Sequence, residues 1–168
     1  YSAQDFDATG LDLPNVHRRI MGLSPRLRGS QLAHLCFPLW ARRDRLSVFW
    51  GTRHQLPLVL PAGMRKVVTV NDMVWKVFGD TMRFPGRQIE AFFMPRALAA
   101  ADRIAVISEF TADEVTKYFP QYAAKLSVVP CASVLQGMPA RPVDGEACFL
   151  FVGTLEPRKN LQTLLRAY

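Results

Sequence analysis

Five short apolar runs, at residues 46–50, 66–70, 103–107, 125–129 and 148–152, are rich in β-branched residues or Phe and recur along the chain after a polar opening. They lack the apolar/polar alternation of a half-exposed antiparallel sheet, and their lengths suit buried parallel strands. Between them lie stretches with helical periodicity. Residues 31–43 place Leu32, Leu35, Cys36, Leu39 and Trp40 on one face, which is expected to pack on the core, with Pro38 as a kink and Arg42 and Arg43 suited to a helix C-terminus. Residues 85–101 read as a second helix that Pro95 bends or divides. Thr111 to Glu114 form a capping-box pattern opening a third, which Pro120 stops.

Strands alternating with helices predict an α/β fold, a Rossmann-like parallel sheet with helices on both faces. In such sheets ligands bind beyond the carboxyl ends of the strands. The residues at those ends are Gly51 to His54, Asn71 to Met73, Ser108 to Phe110, Pro130 with Cys131, and Gly153 with Thr154. Residues 131–146 contain Gly137, Pro139, Pro142 and Gly145 without periodicity and read as a linker. This divides the chain into a lobe at 1–130, a linker at 131–146 and the opening of a second unit at 147–168.

The chain has 168 residues, 49% hydrophobic and 21% charged, enough for one ordinary core and unlike a disordered, collagenous or coiled-coil sequence. Its longest apolar runs are about half a dozen residues against the roughly 20 that cross a bilayer. No basic segment followed by an apolar one opens the chain, so the cytoplasm is the expected compartment. The first residue is Tyr1, as in a fragment. Cys36, Cys131 and Cys148 have no CxxC spacing and no nearby His partner, which argues against a disulfide framework and a zinc site.

The net charge of +7 is concentrated. Arg18, Arg19, Arg26, Arg28, Arg42, Arg43, Arg45 and Arg53 face the single acid Asp44 over residues 17–53, and the rest of the chain is balanced. Such a patch attracts nucleic acid, anionic lipid or a phosphorylated small molecule. No nucleic-acid motif accompanies the arginines, so no nucleic acid is expected. The arginine-flanked helix at 31–43 makes peripheral contact with an anionic membrane an expectation. His17, His34 and His54 are too scattered for a metal ligand set; His34 is expected on a helix surface, and His54, with Arg53, lies at an edge where substrate arrives.

Residues 149–165 are the most informative. An apolar run ends in Gly153, a short loop carries Arg158 and Lys159, and Asn160 is the expected N-cap of a helix. Two cations beside a helix N-terminus suit a diphosphate, and a solvated basic turn is the alternative. Neither a Walker loop nor a dinucleotide fingerprint is present. Gly153-Thr154-Leu155-Glu156-Pro157-Arg158-Lys159-Asn160 resembles the opening of the nucleotide-sugar-binding lobe of GT-B glycosyltransferases of family 4, especially the mannosyltransferase-like branch. Upstream, residues 68–72, 101–110 and 125–130 resemble that family's N-terminal lobe in the same order, so the resemblance spans 46–168, while 1–45 match only loosely.

The resemblance implies two facing Rossmann-like lobes, with residues 1–130 as the acceptor-side lobe lacking its first strand. It implies retaining transfer of a hexose, such as mannose from GDP-mannose, to a polysaccharide or lipid-linked glycan. It implies no metal and no cofactor besides the nucleotide sugar as co-substrate. Gly153, Thr154, Arg158 and Lys159 would bind the donor diphosphate, with Thr154 standing where many relatives carry arginine. Asn71 and Asp72 match a His-Asp pair facing the reacting sugar, and Asn71 cannot titrate, which removes a general base there. Arg53, His54, Ser108 and Glu109 are further cleft candidates, with capping the favoured role for Ser108. The paired-glutamate motif of the family would lie beyond Tyr168, so this chain alone is expected to be inactive. A non-hydrolysing nucleotide-sugar epimerase and a non-catalytic Rossmann-like binding module are the alternatives.

Overall fold

A computed structural model describes residues 14–20, 29–132 and 149–168, with side chains from residue 34 onward in the long stretch. Helix α1 (Gly29–Arg43) leads into strand β1 (Val48–Gly51), followed by β2 (Arg65–Val70), the short α2 (Val74–Val77), α3 (Gly86–Ala100), β3 (Arg103–Val106), α4 (Glu109–Tyr118) and β4 (Leu126–Val128). A separate helix, α5 (Leu161–Ala167), lies near the C-terminus. The four strands form one parallel sheet in the order β1-β2-β3-β4. This is the parallel α/β, Rossmann-like architecture that the alternating runs predict, with the described helices that pack on the sheet lying on one of its faces and not on both.

Strand order equal to chain order has a geometric consequence. Right-handed crossovers that always step in the same direction lie on the same side of the sheet. The register puts Phe49, Val68, Val70, Ile104, Val106, Leu126 and Val128 on that side. Val68, Val70, Ile104 and Val106 are fully buried there with Met94 and Leu98 of α3 and Val115 of α4. Each such aliphatic side chain contributes about 1.5–3 kcal/mol by leaving water. The other side carries Val48 and Trp50, both exposed, and Thr69, whose Oγ1 accepts from Trp50 Nε1 at 2.9 Å.

Four expectations are corrected. Residues 149–152 form no strand; Phe149, Leu150 and Val152 are more than 80% exposed, because a strand needs a neighbouring ladder and none pairs with them among the described residues. Helix α4 starts earlier than the capping box suggests: its N-cap is Ser108, whose Oγ accepts from the Thr111 amide at 3.2 Å, so Thr111 is already inside the first turn. Of the two effects expected of Pro95, division of α3 is excluded, since the helix runs unbroken from Gly86 to Ala100. Helix α1 turns His34, Phe37 and Ala41 inward, where Phe37 meets Phe49 and His34 stacks on Phe93 at 4.4 Å. Leu35 and Leu39 are left 67% and 68% exposed, so the leucine stripe is not the core face and His34 is not a surface residue. Arg26, Arg28 and residues 133–146 of the linker lie outside the described residues.

Candidate functional site

Strand β2 ends at Val70, and the chain turns sharply through Asn71 and Asp72 into α2. The Asp72 Oδ1 accepts from the Val74 amide at 3.0 Å, an Asx-type turn that leaves Oδ2 without a partner among the described residues. Strand β3 ends one position across, and α4 begins at once. The buried Thr111 hydroxyl reaches back to the Asn71 carbonyl at 3.5 Å, tying the α4 N-terminus to the end of β2. Between these two strand ends opens a pocket of about 190 Å³, lined by Asn71, Asp72 and Met73, by Val74, Val77 and Phe78 of the α2 segment, and by Phe110, Thr111 and Glu114 of α4.

The pocket combines hydrogen-bonding groups with exposed aromatic surface. Asp72 is exposed, and Phe78 and Phe110 are 51% and 74% exposed. Glu114 is largely covered; its Oε1 lies 3.5 Å from Lys117 Nζ, and its Oε2 is buried without a hydrogen bond. The lining is mostly apolar, because the Thr111 hydroxyl is engaged with Ser108 and the Glu114 carboxylate is covered; the two phenyl rings offer a stacking surface to the C–H face of a ligand, and Asp72 Oδ2 is the acceptor left beside them.

The other strand-end residues take different places. At the end of β1, Gly51 is required sterically, since a Cβ there would sit 2.5 Å from the Gln55 carbonyl as the loop folds back. That fold-back buries His54, whose Nε2 lies 2.9 Å from Glu90 Oε2 of α3, while Gln55 Nε2 reaches the other carboxylate oxygen at 3.4 Å. Glu90 thus clamps the loop, and His54 is a structural partner rather than an open edge residue. Arg53, at the loop tip, is exposed. Ser108 is engaged in capping, and Glu109, the first residue of α4, is exposed.

In the C-terminal segment, Pro157–Lys159 form a single 3-10 turn, and Asn160 follows in the left-handed conformation. Asn160 stands at the N-cap of α5, but its Oδ1 accepts from Thr163 Oγ1 at 2.8 Å and not from a backbone amide. Arg158 Nε donates to Glu156 Oε2 at 2.6 Å. That bond, with a second from Thr154, holds the Glu156 carboxyl below its ordinary range. Lys159 is exposed and makes no ion pair among the described residues.

Asn71, Asp72 and Phe110, all strand-end residues, were thus brought to a pocket, whereas Phe78 and Glu114 in its wall, and Glu90 beside the β1 loop, make contacts that sequence reasoning missed. Phe110 and Glu114 had a usable signal: four apart at the opening of a helix that starts at a strand end, they share one face. Glu90 had none, since it acts across 36 residues of chain on His54.

The chain is similar to the O-antigen chain mannosyltransferase B of Escherichia coli, with 25% identity over 170 residues. The similarity covers 90% of this chain and 43% of that relative, so the chain spans under half of its length. No family model and no solved structure matches the chain.

Proposed function

We propose that this chain is part of a retaining GT-B glycosyltransferase of family 4 that moves a hexose, mannose from GDP-mannose, onto a polysaccharide or lipid-linked glycan. Residues 1–130 form the acceptor-side lobe, 131–146 the linker and 147–168 the opening of the donor lobe. The observation that carries this reading is the pocket at the carboxyl ends of β2 and β3, with Asn71 and Asp72 in its wall and aromatic surface beside them. Similarity to a mannosyltransferase over nearly the whole chain supports it.

In this reading the acceptor sugar lies in the pocket, and Asp72 Oδ2 accepts from one of its hydroxyls. The acceptor oxygen attacks the anomeric carbon, the bond from that carbon to the diphosphate breaks, and the departing phosphate oxygen takes the acceptor proton. Negative charge grows on the diphosphate during this step, so a fixed cation lowers the barrier. Lys159 is the available one, because Arg158 already serves Glu156. Gly153 and Thr154 flank the donor, Arg53 and Glu109 border the cleft, and no resident cofactor is invoked.

The test is a nucleotide-sugar donor panel with the intact protein and its Lys159→Ala and Asp72→Asn variants. Hexose transfer from one donor is expected, with turnover lowered roughly 10²-fold by Lys159→Ala. Unchanged turnover removes Lys159 from the site. Deuterium exchange at sugar carbon 2 without acceptor selects the epimerase, and inactivity toward every donor selects a binding module.

A further inference from the structure

The pocket between β2 and β3 has few polar groups to offer a ligand. Thr111 Oγ1 is engaged with Ser108 Oγ at 3.0 Å, and the Glu114 carboxylate is covered beside Lys117. That leaves the side-chain amide of Asn71, which makes no hydrogen bond among the described residues, and Asp72 Oδ2, whose companion Oδ1 is held by the Val74 amide. One donor group and one charged acceptor therefore border a wall that is otherwise apolar, made by the α2 segment with Phe78 and by Phe110 of α4. A plain hexose matches such a lining poorly. Each of its hydroxyls both donates and accepts, so most of them would give up water for contact with carbon and gain no partner.

We infer that this pocket recognises the acetamido group of an N-acetylhexosamine at the acceptor end of the glycan. An acetamido group carries one N–H, one carbonyl and one methyl, and the pocket holds a counterpart for each. The N–H donates to Asp72 Oδ2, which as a carboxylate oxygen also accepts from the hydroxyl on the neighbouring ring carbon. The carbonyl accepts from the Asn71 amide. The methyl and the C–H face of the ring lie against the exposed rings of Phe78 and Phe110. An isoprenoid chain, the apolar alternative, would strip water from Asp72 and Asn71 and return no hydrogen bond. The inference rests on the reading of this pocket as the seat of the acceptor sugar, and adds which sugar it takes.

Saturation-transfer NMR titrations of the intact protein test it without any donor present, using the methyl glycosides of N-acetylglucosamine and N-acetylgalactosamine and of their parent hexoses. The acetamido sugar of at least one pair is expected to bind roughly tenfold or more tightly than its parent, from a hydrogen bond to a charged acceptor and a buried methyl, and that methyl should be the most strongly saturated group. Phe110→Ala should weaken its binding about fivefold. Asp72→Asn keeps an Oδ1 for the Val74 amide but puts a donor where Oδ2 stood, so it should erase the preference over the parent hexose. Circular dichroism should be unchanged in both variants. Equal binding within each pair, no binding of any glycoside, a preference that both variants keep, or tighter binding of a short isoprenol overturns the inference; hexose transfer in the donor panel would then still leave the transferase reading standing. Acetamido-selective binding by a protein inactive toward every donor upholds the inference and removes the transfer.

Discussion

Removing one ammonium group should cost this protein about 2 kcal/mol. The Lys125 Nζ donates to three carbonyls at the end of α3, Ala101 at 2.7 Å, Ala99 at 3.1 Å and Leu98 at 3.4 Å. Leu98 and Ala99 belong to the last turn of the helix and Ala101 is its C-cap, where carbonyls lack intrahelical partners and the dipole favours a cation. A hydrogen bond from a charged donor contributes about 1.5–3 kcal/mol, and the short bond to Ala101 counts fully while the two longer ones add little. Ordering a lysine side chain costs up to about 1.5–2 kcal/mol, which the dipole term of about 0.3–1 kcal/mol and the longer bonds partly offset. Lys125→Met retains the apolar stem and deletes the ammonium, together with its contact at 5.1 Å with the Tyr122 ring. Urea unfolding followed by circular dichroism should show the loss at an unchanged slope, with a melting temperature lower by roughly 4–8 °C. A loss under about 0.5 kcal/mol would mean that water serves those carbonyls equally well, and the capping argument would be wrong.

Two further outcomes follow from local geometry. Ser108→Ala deletes the α4 cap and should destabilise the fold by about 1 kcal/mol in urea, while the turnover proposed for the intact protein, at saturating substrate, stays within a few-fold; a hundredfold loss would place Ser108 in the chemistry instead. Burial lowers the pKa of His34 from its ordinary value of 6.5, so the unfolded chain takes up that proton more readily as pH falls. The stability present above pH 6.5 is therefore lost below it, and His34→Phe should flatten the fall in melting temperature between about pH 7.5 and about pH 5.5; an equal fall in the variant would refute the assignment.

The strands themselves were readable because burial on a parallel sheet leaves a plain mark: short β-branched runs closed by polar residues. Residues 66–70, 103–107 and 125–129 each became a strand within a residue or two of the expected bounds. Residues 149–152 carry the same mark and form none, since composition states a preference for a sheet and cannot supply the neighbouring strand. Helix α1 failed differently. Both of its sides are apolar, so periodicity could not say which one faces inward, and the aromatic contacts of Phe37 with Phe49 and of His34 with Phe93 decided it.

Site legibility divides along the same physical line. Asn71 and Asp72 were identifiable because a strand end is a position in the chain, and the fold rule attaches ligand binding to that position. Glu90 was not, because its role is a distance in space: it clamps His54 and Gln55 only once α3 is laid beside the β1 loop. Lys125 joins those two levels. Its ammonium closes the far end of the same helix that carries Glu90, a contact made across 24 residues of chain that strand-end reasoning gave no cause to single out.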